Sequence, residues 1–474
     1  MIKVLKEKTS SIICRDIPIG DLTPVKAFER LRGGKYSFLL ESASGSVKTG
    51  RYSFIGTDPF LIFKSKGRKI EIIKEGKKTV IDDSPLKNLR ELMERYRTDR
   101  IEGLPPFTGG AIGILNYDFV HHFERLPRTT VDDLDLPDAH FIFVDTLVAF
   151  DHRYNRAWII TDPEVRDEKS EDAILRMEEI ARKLLYPSPS FHAYPEERRP
   201  IEIRHEMSKD GYESIVKKAK EYIAAGDIFQ ANLSQRLSAE IPDIDPWSLY
   251  KILRNINPSP FASFLEFDDY HIVSSSPERL VKVNGNIVET RPIAGTRPRG
   301  KDSNGDREMR AELLLNEKER AEHIMLIDLE RNDLGRVCDY GSIEVDELMV
   351  TEDYSHVIHI VSNIRGKLAE GKDCFDVIRA AFPGGTITGV PKVRCMEIID
   401  ELEPVSRGPY TGSIGYISFS GDMDLDIVIR TFVIKDGIAY VQVGAGIVAD
   451  SDPEREYYET LYKAEALIKT LERI

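Results

Sequence analysis

Short apolar runs alternate with polar turns along the first part of the chain. Aromatic and β-branched residues fill KYSFLLES, RYSFIG, FLIFKS and HFIFVDTLVAF, and Gly, Asp and Pro separate these runs. This pattern predicts short strands joined by tight turns. The segment DAILRMEEIARKLL instead has apolar residues at helical spacing and predicts a helix that closes this part.

The later part of the chain mixes helical and strand-like periodicities. DGYESIVKKAKEYIAAGD predicts an amphipathic helix that stops at Gly226, and LVKVNGNIVET predicts a hairpin through Asn284-Gly285. Further strands are predicted in HIVSSS, YTGSIGYISFSGDMDLDIVIRTFVI and GIAYVQVGAG, and further helices over 307–333, 375–382 and 457–474. Strands that come as hairpins with helices between them predict an α+β fold with large antiparallel sheets, not a doubly wound parallel sheet.

A proline- and charge-rich stretch divides these two parts. Residues 185–207, LYPSPSFHAYPEERRPIEIRHEM, are typical of a linker. We therefore predict an N-terminal region over 1–184 and a larger C-terminal region over 208–474.

Composition narrows the possible partners. The chain of 474 residues is 41% hydrophobic, which is enough for a large core, and its net charge of −14 argues against nucleic acids and acidic membranes. The four cysteines form no CxxC pair and are expected to be reduced. We find no secretory signal, no apolar window long enough to span a membrane, and no GxGxxG or GxxxxGK[ST] motif, and we expect a cytoplasmic protein.

Two pairs of acidic residues stand three positions apart in predicted helices. Glu319 and Glu322 form one pair, and Glu456 and Glu459 form the other. This spacing places both carboxylates on one helix face, and two such faces together would suit Mg²⁺. Solvated charged faces are the alternative, since buried charge is rare.

A glycine-rich triplet precedes the second acidic pair. Gly444, Ala445 and Gly446 predict a turn whose N–H groups bind an anion, so that Mg²⁺ and the turn together would hold a carboxylate-bearing substrate; a simple tight bend is the alternative. Arg430 is predicted within an apolar strand, where it needs an anionic ligand or an internal acid. His359 and Lys463 are compatible with a packed core histidine and an ordinary surface lysine.

Several long motifs resemble one known family. They are KERAEHIMLIDLERNDLGRV, RPIAGTRPRG, GGTITGVPKVRCMEIIDELEP and GAGIVADSDPEREYYET. Together they resemble the chorismate-utilising enzymes, which include anthranilate synthase component I, aminodeoxychorismate synthase component I, and the isochorismate and salicylate synthases. SFLLESASG and PPFTGGAIGILNYDF are similar to the N-terminal half of the two aminating members.

The resemblance implies a fold and a set of roles. The fold is two large sheets with helices outside and the active site in the cleft. Glu319, Glu322, Glu456 and Glu459 would bind Mg²⁺, and His359 and Glu278 would lie beside the substrate ring as acid/base or orienting groups. The carboxylates of chorismate would be held by Gly295, Thr296, Thr386, Tyr410, Arg430, Gly444, Ala445, Gly446 and Lys463. Glu41 and Ser42, in LLES, resemble a tryptophan pocket.

Two positions bear on the reaction. Gln230 stands where the hydroxylating members carry a lysine that activates water, and glutamine cannot act as that base, so the resemblance implies ammonia as the nucleophile. The chain has no GxCxG elbow, so ammonia would come from a separate glutamine amidotransferase subunit. Ala294 stands where many aminodeoxychorismate synthases carry a lysine nucleophile, which favours anthranilate synthase.

Other positions favour the aminodeoxychorismate branch. Asn232, Glu330 and Ala262 resemble that branch, and we favour 4-amino-4-deoxychorismate as the product, with anthranilate plus pyruvate as the alternative. An Mg²⁺-dependent phosphoryl-transfer enzyme and a non-catalytic tryptophan-binding protein are more distant alternatives.

Overall fold

The structure is a computed structural model of the chain. It describes residues 2–7, 10–43, 50–186, 201–300, 302–353 and 357–474. Most of the predicted linker, residues 187–200, lies outside the described residues, and so does His356. The ends of that stretch belong to regular elements, because a helix reaches Leu185 and a strand spans Ile203–His205.

The described elements before residue 187 comprise eleven strands, three α-helices and two 3₁₀ helices at Tyr117–His122 and Pro163–Arg166. The strands are β1 (Ile2–Glu7), β2 (Ser10–Ile17), β3 (Ser37–Glu41), β4 (Tyr52–Thr57), β5 (Leu61–Lys66), β6 (Lys69–Lys74), β7 (Lys77–Asp82), β8 (Gly110–Leu115), β9 (Ala139–Val144), β10 (Thr146–Asp151) and β11 (Arg156–Thr161). The helices are α1 (Pro24–Leu31), α2 (Pro85–Arg95) and α3 (Ser170–Leu185).

The elements after residue 200 comprise fourteen strands, seven helices and a 3₁₀ turn at Gly385–Ile387. The strands are β12 (Ile203–His205), β13 (Gln230–Glu240), β14 (Phe261–Glu266), β15 (Tyr270–Ser276), β16 (Arg279–Asn284), β17 (Ile287–Arg291), β18 (Ile293–Pro298), β19 (Glu344–Asp353), β20 (Val357–Lys367), β21 (Gly389–Val390), β22 (Ser413–Ser418), β23 (Met423–Asp426), β24 (Thr431–Lys435) and β25 (Ile438–Ile447). The helices are α4 (Lys209–Ala225), α5 (Pro246–Ile256), α6 (Ser303–Leu315), α7 (Glu317–Gly335), α8 (Cys374–Ala381), α9 (Lys392–Leu402) and α10 (Pro453–Leu471).

Two large sheets contain all of the described strands, and every pairing within them is antiparallel. The first has thirteen strands in the order β1-β2-β11-β10-β4-β3-β14-β15-β24-β25-β13-β12, with β21 added beside β13. The second has twelve strands in the order β18-β20-β17-β16-β23-β22-β8-β9-β5-β6-β7, with β19 added beside β20. The predicted α+β fold with large antiparallel sheets is therefore confirmed.

Several apolar clusters hold the sheets and helices together. Phe38 and Ile272 of the first sheet pack with Ile114 and Ile414 of the second in the layer between the sheets. Helices α1, α3, α5 and α10 cover the outer face of the first sheet, and α2, α7 and α8 cover the second. Helices α4 and α9 pack on β13 and β25. Each sheet is thus sandwiched between its partner and a helical layer.

Two further features complete the fold. The four cysteines, Cys14, Cys338, Cys374 and Cys395, are buried and free. Within the described ranges, no helix combines the length and the apolar character needed to cross a membrane.

Candidate active site

Glu278 lies in the short connection from β15 to β16 and is buried. Burial raises the pKa of Glu278 to about 7, and the nearby Thr386, the Ile293 amide and the charges of Arg430 and Lys463 offset part of that effect. Among the described residues, neither Glu278 Oε1 nor Thr386 Oγ1 has a hydrogen-bond partner. A buried carboxyl with this pKa can act as an acid near neutral pH.

His359 lies on β20 and contacts the neighbouring strand β18. Its Nδ1 is 2.9 Å from the Gly295 carbonyl oxygen and 3.1 Å from Thr296 Oγ1. Because a carbonyl oxygen only accepts hydrogen bonds, Nδ1 carries the proton and Nε2 carries the lone pair. Burial lowers the pKa of His359 to about 4, so the ring is neutral at physiological pH.

Gly295 forms a bulge within β18. Its φ is +62°, and the register with β20 shifts between Ala294 and Thr296. Gly295 and Thr296 therefore belong to a strand bulge, which a glycine permits without strain. A Cβ on Gly295 would lie 2.9 Å from Glu319 Oε2, so the bulge lies directly against the first acidic pair.

The first acidic pair lies at the start of α7. Asn316 caps this helix by accepting the Glu319 N–H at 3.1 Å, so Glu319 and Glu322 occupy its first two turns. A helix N-terminus favours negative charge, which explains two acids at this end. Arg297 Nη1 lies 3.3 Å from Glu319 Oε1.

The second acidic pair has the same setting on α10. Asp452 caps the helix by accepting the Arg455 N–H at 3.0 Å, and Glu456 and Glu459 follow. Lys463, one turn further, lies with its Nζ 2.9 Å from Glu459 Oε1 and 3.0 Å from the Gly444 carbonyl oxygen. Lys463 therefore links the acidic pair to β25.

The two acidic pairs face each other. Burial raises the pKa of Glu322, and the negative charges of Glu319, Glu459 and Glu456 raise it further. Burial and then Glu459 likewise raise the pKa of Glu456, against a hydrogen bond from Ser451. Four mutually repelling carboxylates fit a hard divalent cation in their chemistry. Within the described part of the chain, however, no three acidic, histidine or cysteine side chains already stand at ligating distances of one point.

Gly444 and Gly446 lie inside β25, so the predicted glycine turn is wrong. The reason for glycine here is close approach, not turn geometry. A Cβ on Gly444 would lie 2.6 Å from Asn232 Oδ1 and 2.7 Å from Tyr410 Oη, and one on Gly446 would lie 2.6 Å from Gln230 Nε2. The buried Ala445 between them packs toward α4 and α9.

The amide groups of these two glycines point away from β13. Asn232 and Ser234 lie opposite Gly446 and Gly444. Their N–H groups donate to acceptor oxygens outside β25, at N–O distances of 2.9 and 2.8 Å. Residues opposite each other in an antiparallel ladder share one hydrogen-bonding state, so both glycine N–H groups also point outward. The ladder with β24 ends at Val441, before either glycine. The two amides therefore face the side where Lys463 binds the Gly444 carbonyl.

Arg430 lies between β23 and β24 in a left-handed conformation, with φ of +52°. The prediction that it lies within a strand is therefore wrong. Its carbonyl oxygen accepts the Ser275 N–H at 3.2 Å, and its positive charge lowers the pKa values of Glu278 and His359. The arginine thus belongs to the same cluster.

Asn232 is a residue of the site that the sequence analysis did not predict as one. There it only favoured the aminodeoxychorismate branch of the family. In the structure, its buried Oδ1 has no hydrogen-bond partner among the described residues, and the same holds for Oε1 of Gln230. Both side chains point at the glycines of β25. Their spacing of two on one strand, facing a Gly-x-Gly, was the available signal.

Glu41 and Ser42 lie away from this cluster, at a cavity of about 420 Å³. The cavity is lined by β3, β4 and β14 of the first sheet and by β16, β22 and β23 of the second, and Ala262 is part of its wall. Glu41 accepts hydrogen bonds from Arg254 at 2.6 and 2.7 Å and from Tyr250 at 2.7 Å.

Comparison with known proteins gives consistent matches over nearly the whole chain. Residues 38–469 match the sequence profile of the family described as chorismate binding enzyme. The chain is 45% identical over 459 residues to anthranilate synthase component 1 of Acetivibrio thermocellus, covering 95% of this chain and 93% of that protein. It is 44% identical over 463 residues to aminodeoxychorismate synthase component 1 of Bacillus subtilis (strain 168), covering 97% and 96%.

A solved structure agrees with these sequence matches. Anthranilate synthase component I from Streptococcus pneumoniae TIGR4 superposes with a TM-score of 0.80 at 36% identity, covering 95% of this chain and 98% of that one. The expected resemblance and fold are thereby confirmed. This chain belongs to the family of chorismate binding enzymes.

Proposed function

We propose that the protein aminates chorismate with ammonia and releases 4-amino-4-deoxychorismate. The observation that carries this proposal is a set of buried polar atoms at the site. Among the described residues, Gln230 Oε1, Asn232 Oδ1, Glu278 Oε1 and Thr386 Oγ1 have no hydrogen-bond partner. Buried polar groups are normally satisfied, so several unpaired ones at one site support a polar ligand.

The substrate carboxylates would be bound by groups that this cluster presents together. The outward amides of Gly444 and Gly446 face the side where Lys463 binds the Gly444 carbonyl, the Tyr410 hydroxyl lies close to Gly444, and Thr386 and Arg430 lie beside Glu278. Gly295 and Thr296 lie beside His359. The amides, the hydroxyls and the two cationic side chains are donors suited to an anion.

The four carboxylates of Glu319, Glu322, Glu456 and Glu459 would hold Mg²⁺. When bound, the ion would neutralise a substrate carboxylate and withdraw electron density from the ring. The raised pKa values of Glu322 and Glu456 support this role. Burial raises both pKa values, the neighbouring glutamates raise them further, and a cation would relieve that repulsion.

Glu278 would act as the general acid. Its proton goes to the C4 oxygen as the C4–O bond breaks, and water leaves. Ammonia then forms a bond to C4 in place of the lost oxygen, and the Glu278 carboxylate takes the extra proton from the new ammonium nitrogen, so that protons balance over the cycle. Neutral His359, with its lone pair on Nε2, would orient the ring or accept a hydrogen bond from the substrate.

Gln230 supports ammonia rather than water as the nucleophile. An amide cannot deprotonate water at neutral pH, whereas ammonia is already nucleophilic. A separate glutamine amidotransferase subunit would supply the ammonia, consistent with the "component 1" names of both relatives. A cytoplasmic location stays a prediction from the sequence.

Anthranilate is the second candidate product. Ala294 supports it, because this position offers no nucleophile, and the two relatives named for the two products are equally similar to the chain. Asn232, Glu330 and Ala262 favour 4-amino-4-deoxychorismate by resemblance. Family membership argues against the phosphoryl-transfer and non-catalytic alternatives.

A product assay tests the proposal. The purified chain is incubated with chorismate, Mg²⁺ and an ammonium salt, and the products are separated and identified by mass. We expect 4-amino-4-deoxychorismate, and far less of it from a matched Glu278→Gln variant. Formation of anthranilate would support the second candidate function, and unchanged chorismate would contradict both functions.

The cavity beside Glu41 and Ser42 is proposed to bind tryptophan. It is large enough for an indole and is lined by Tyr52, Phe54 and Phe261. A ligand at ~100 times its dissociation constant stabilises a fold by about 2.7 kcal/mol, so tryptophan should raise the melting temperature measurably. Phenylalanine is the matched control. Equal melting temperatures with and without tryptophan would contradict the proposal.

A further inference from the structure

Behind the candidate active site, Arg407 and Glu403 form an ion pair that is almost completely buried. Their side chains are 1% and 2% exposed. Arg407 Nε lies 2.9 Å from Glu403 Oε2, and Nη2 lies 2.6 Å from Glu403 Oε1. Such a bidentate pair fixes the plane of the guanidinium group.

The other donors of Arg407 reach three separate segments of the chain. Nη2 also donates to the Asn232 carbonyl oxygen at 2.7 Å, and Nη1 donates to the Ile387 carbonyl oxygen at 3.0 Å and to Thr411 Oγ1 at 3.2 Å. A guanidinium has five N–H donors, and all five are engaged. Arg407 therefore has no donor left for a ligand.

Each of these segments carries one group of the candidate site. Ile387 follows Thr386 in the 3₁₀ turn, Thr411 follows Tyr410, and Asn232 itself faces the glycines of β25. One guanidinium thus connects three groups that reach the site from different elements.

Thr411 shows why such a connection is needed. It is a β-branched residue with φ of +60°, a conformation that costs free energy and persists only where neighbours hold it. Its hydroxyl donates to the Tyr410 carbonyl oxygen at 2.6 Å and accepts from Arg407, and its N–H donates to the Val428 carbonyl oxygen at 2.8 Å. The backbone conformation of Thr411 therefore helps to fix the direction in which the Tyr410 side chain points.

We propose that the Arg407–Glu403 pair is a positioning unit that holds Tyr410, Thr386 and Asn232 in the arrangement that binds the substrate carboxylates. The inference rests on the proposed function of the site. The alternative is a purely structural role, since a buried ion pair can serve the stability or the specificity of the fold alone.

Substrate affinity distinguishes these two roles. Groups that bind substrate and transition state equally affect KM and leave kcat largely unchanged. Loss of the positioning unit should therefore raise KM, whereas general loosening of the fold should lower the melting temperature with no selective effect on KM.

The variants are Arg407→Lys, which keeps the charge but loses the planar set of five N–H donors, Thr411→Val, which replaces the hydroxyl by a methyl group, and Thr411→Ser, which keeps the hydroxyl. The matched control is Arg176→Lys on α3, whose guanidinium binds the fully buried Asp145 at 2.7 Å outside the site. For each, KM for chorismate, kcat with saturating ammonium and the melting temperature are measured.

We expect Arg407→Lys and Thr411→Val to raise KM about tenfold or more with kcat within about threefold. Thr411→Ser should return KM to the wild-type value, and Arg176→Lys should lower the melting temperature with unchanged KM. If Arg407→Lys does not fold, the KM values of Thr411→Val and Thr411→Ser test the inference by themselves. Unchanged KM in Thr411→Val, or equal KM values for the Val and Ser variants, would overturn the inference. A wild-type protein that leaves chorismate unchanged would instead overturn the proposed function.

Discussion

Two buried side chains at the site differ in protonation, and the roles proposed for Glu278 and His359 rest on this difference. Burial raises the pKa of Glu278 to about 7 and lowers the pKa of His359 to about 4. Burial disfavours the charged form of both groups, so an acid stays protonated and a base stays neutral. The sequence offered both residues as acid/base candidates, but the division of roles depends on burial and on the Gly295 carbonyl beside Nδ1.

The first prediction concerns the pH dependence of catalysis. Glu278 must be protonated to act as an acid, so its activity is present below a pH of about 7 and is lost as pH rises through that value. We expect kcat/KM, measured at constant free ammonia, to fall about tenfold per pH unit on the alkaline side.

Glu278→Gln is the matched variant for that profile. It should lower kcat/KM by about 10²- to 10⁴-fold and remove the alkaline limb, since the amide does not titrate. A wild-type profile that stays flat between about pH 6 and about pH 8.5, or a limb retained in the variant, would contradict the role of Glu278.

The second prediction concerns the acidic pairs. Glu456 is repelled by Glu459, so Glu456→Gln removes repulsion and should leave the metal-free protein as stable as the wild type, within ~0.5 kcal/mol, or slightly more stable. The same change should raise the Mg²⁺ concentration for half-maximal activity at least about tenfold, because one ligand is lost.

Thermal unfolding with and without Mg²⁺ measures the two effects separately. Wild type should gain stability on adding Mg²⁺, and Glu456→Gln should gain less. Glu465→Gln, on the same helix beyond the acidic pair and bonded to Lys469 at 2.6 Å, is the control and should respond like the wild type. An identical Mg²⁺ response of all three proteins would refute the assignment.

At the scale of elements, the sequence correctly predicted the helices and hairpins whose apolar pattern and terminating or turn residues indicate the same structure. The amphipathic helix α4 does end where Gly226 adopts φ of +82°, and Gly285, at +62°, does turn the β16–β17 hairpin. The single helix predicted over 307–333 is wrong, because Asn316 ends α6 and caps α7. Asn caps helices readily, but only the three-dimensional context decides whether it interrupts one.

The turn predicted at the β25 glycines is wrong for a different reason. A glycine triplet usually indicates a turn, but here tertiary contacts select it, since Asn232 and Tyr410 leave no space for a Cβ. Which residues oppose each other across β13 and β25 is a matter of register, and a single strand does not encode its partner.

The third prediction compares the two glycines. An alanine Cβ at Gly444 would meet the Leu233 carbonyl oxygen at 2.7 Å, which is fixed backbone, whereas at Gly446 its nearest neighbour is the mobile end of Gln230. We expect Gly444→Ala to lose about 2 kcal/mol of stability or more, and Gly446→Ala about 1 kcal/mol or less.

Denaturant unfolding and chorismate kinetics check this comparison. Gly446→Ala should fold normally yet raise KM, because its methyl group displaces Gln230 beside an outward amide. Equal stability losses in the two variants would show that the described packing does not govern this strand.

At the scale of the whole molecule, the two sequence regions share both sheets. Strand β3 of the N-terminal region pairs with β14 over Glu41–Ala262 to Ser37–Glu266, and β8 pairs with β22 from Ser413–Leu115 to Ser418–Gly110. These pairs join residues more than two hundred positions apart, so local pattern could not predict them. The boundary over 185–207 remains a division of the sequence, whereas the sheets and the apolar layer between them are joint products of both regions.

The last prediction follows from this shared architecture. A fragment of residues 201–474 alone would expose the edges of β14 and β22 and its own share of the inter-sheet layer, and unpaired edges promote aggregation. We expect this fragment to be insoluble or unfolded by circular dichroism. Co-expression with residues 2–186 should restore a one-to-one complex that consumes chorismate, because every lost strand pairing is supplied again. Co-expression with residues 2–95, which lack β8, is the matched control and should fail. An isolated 201–474 fragment that folds as a monomer and turns over chorismate would show that the catalytic region is independent of the N-terminal strands.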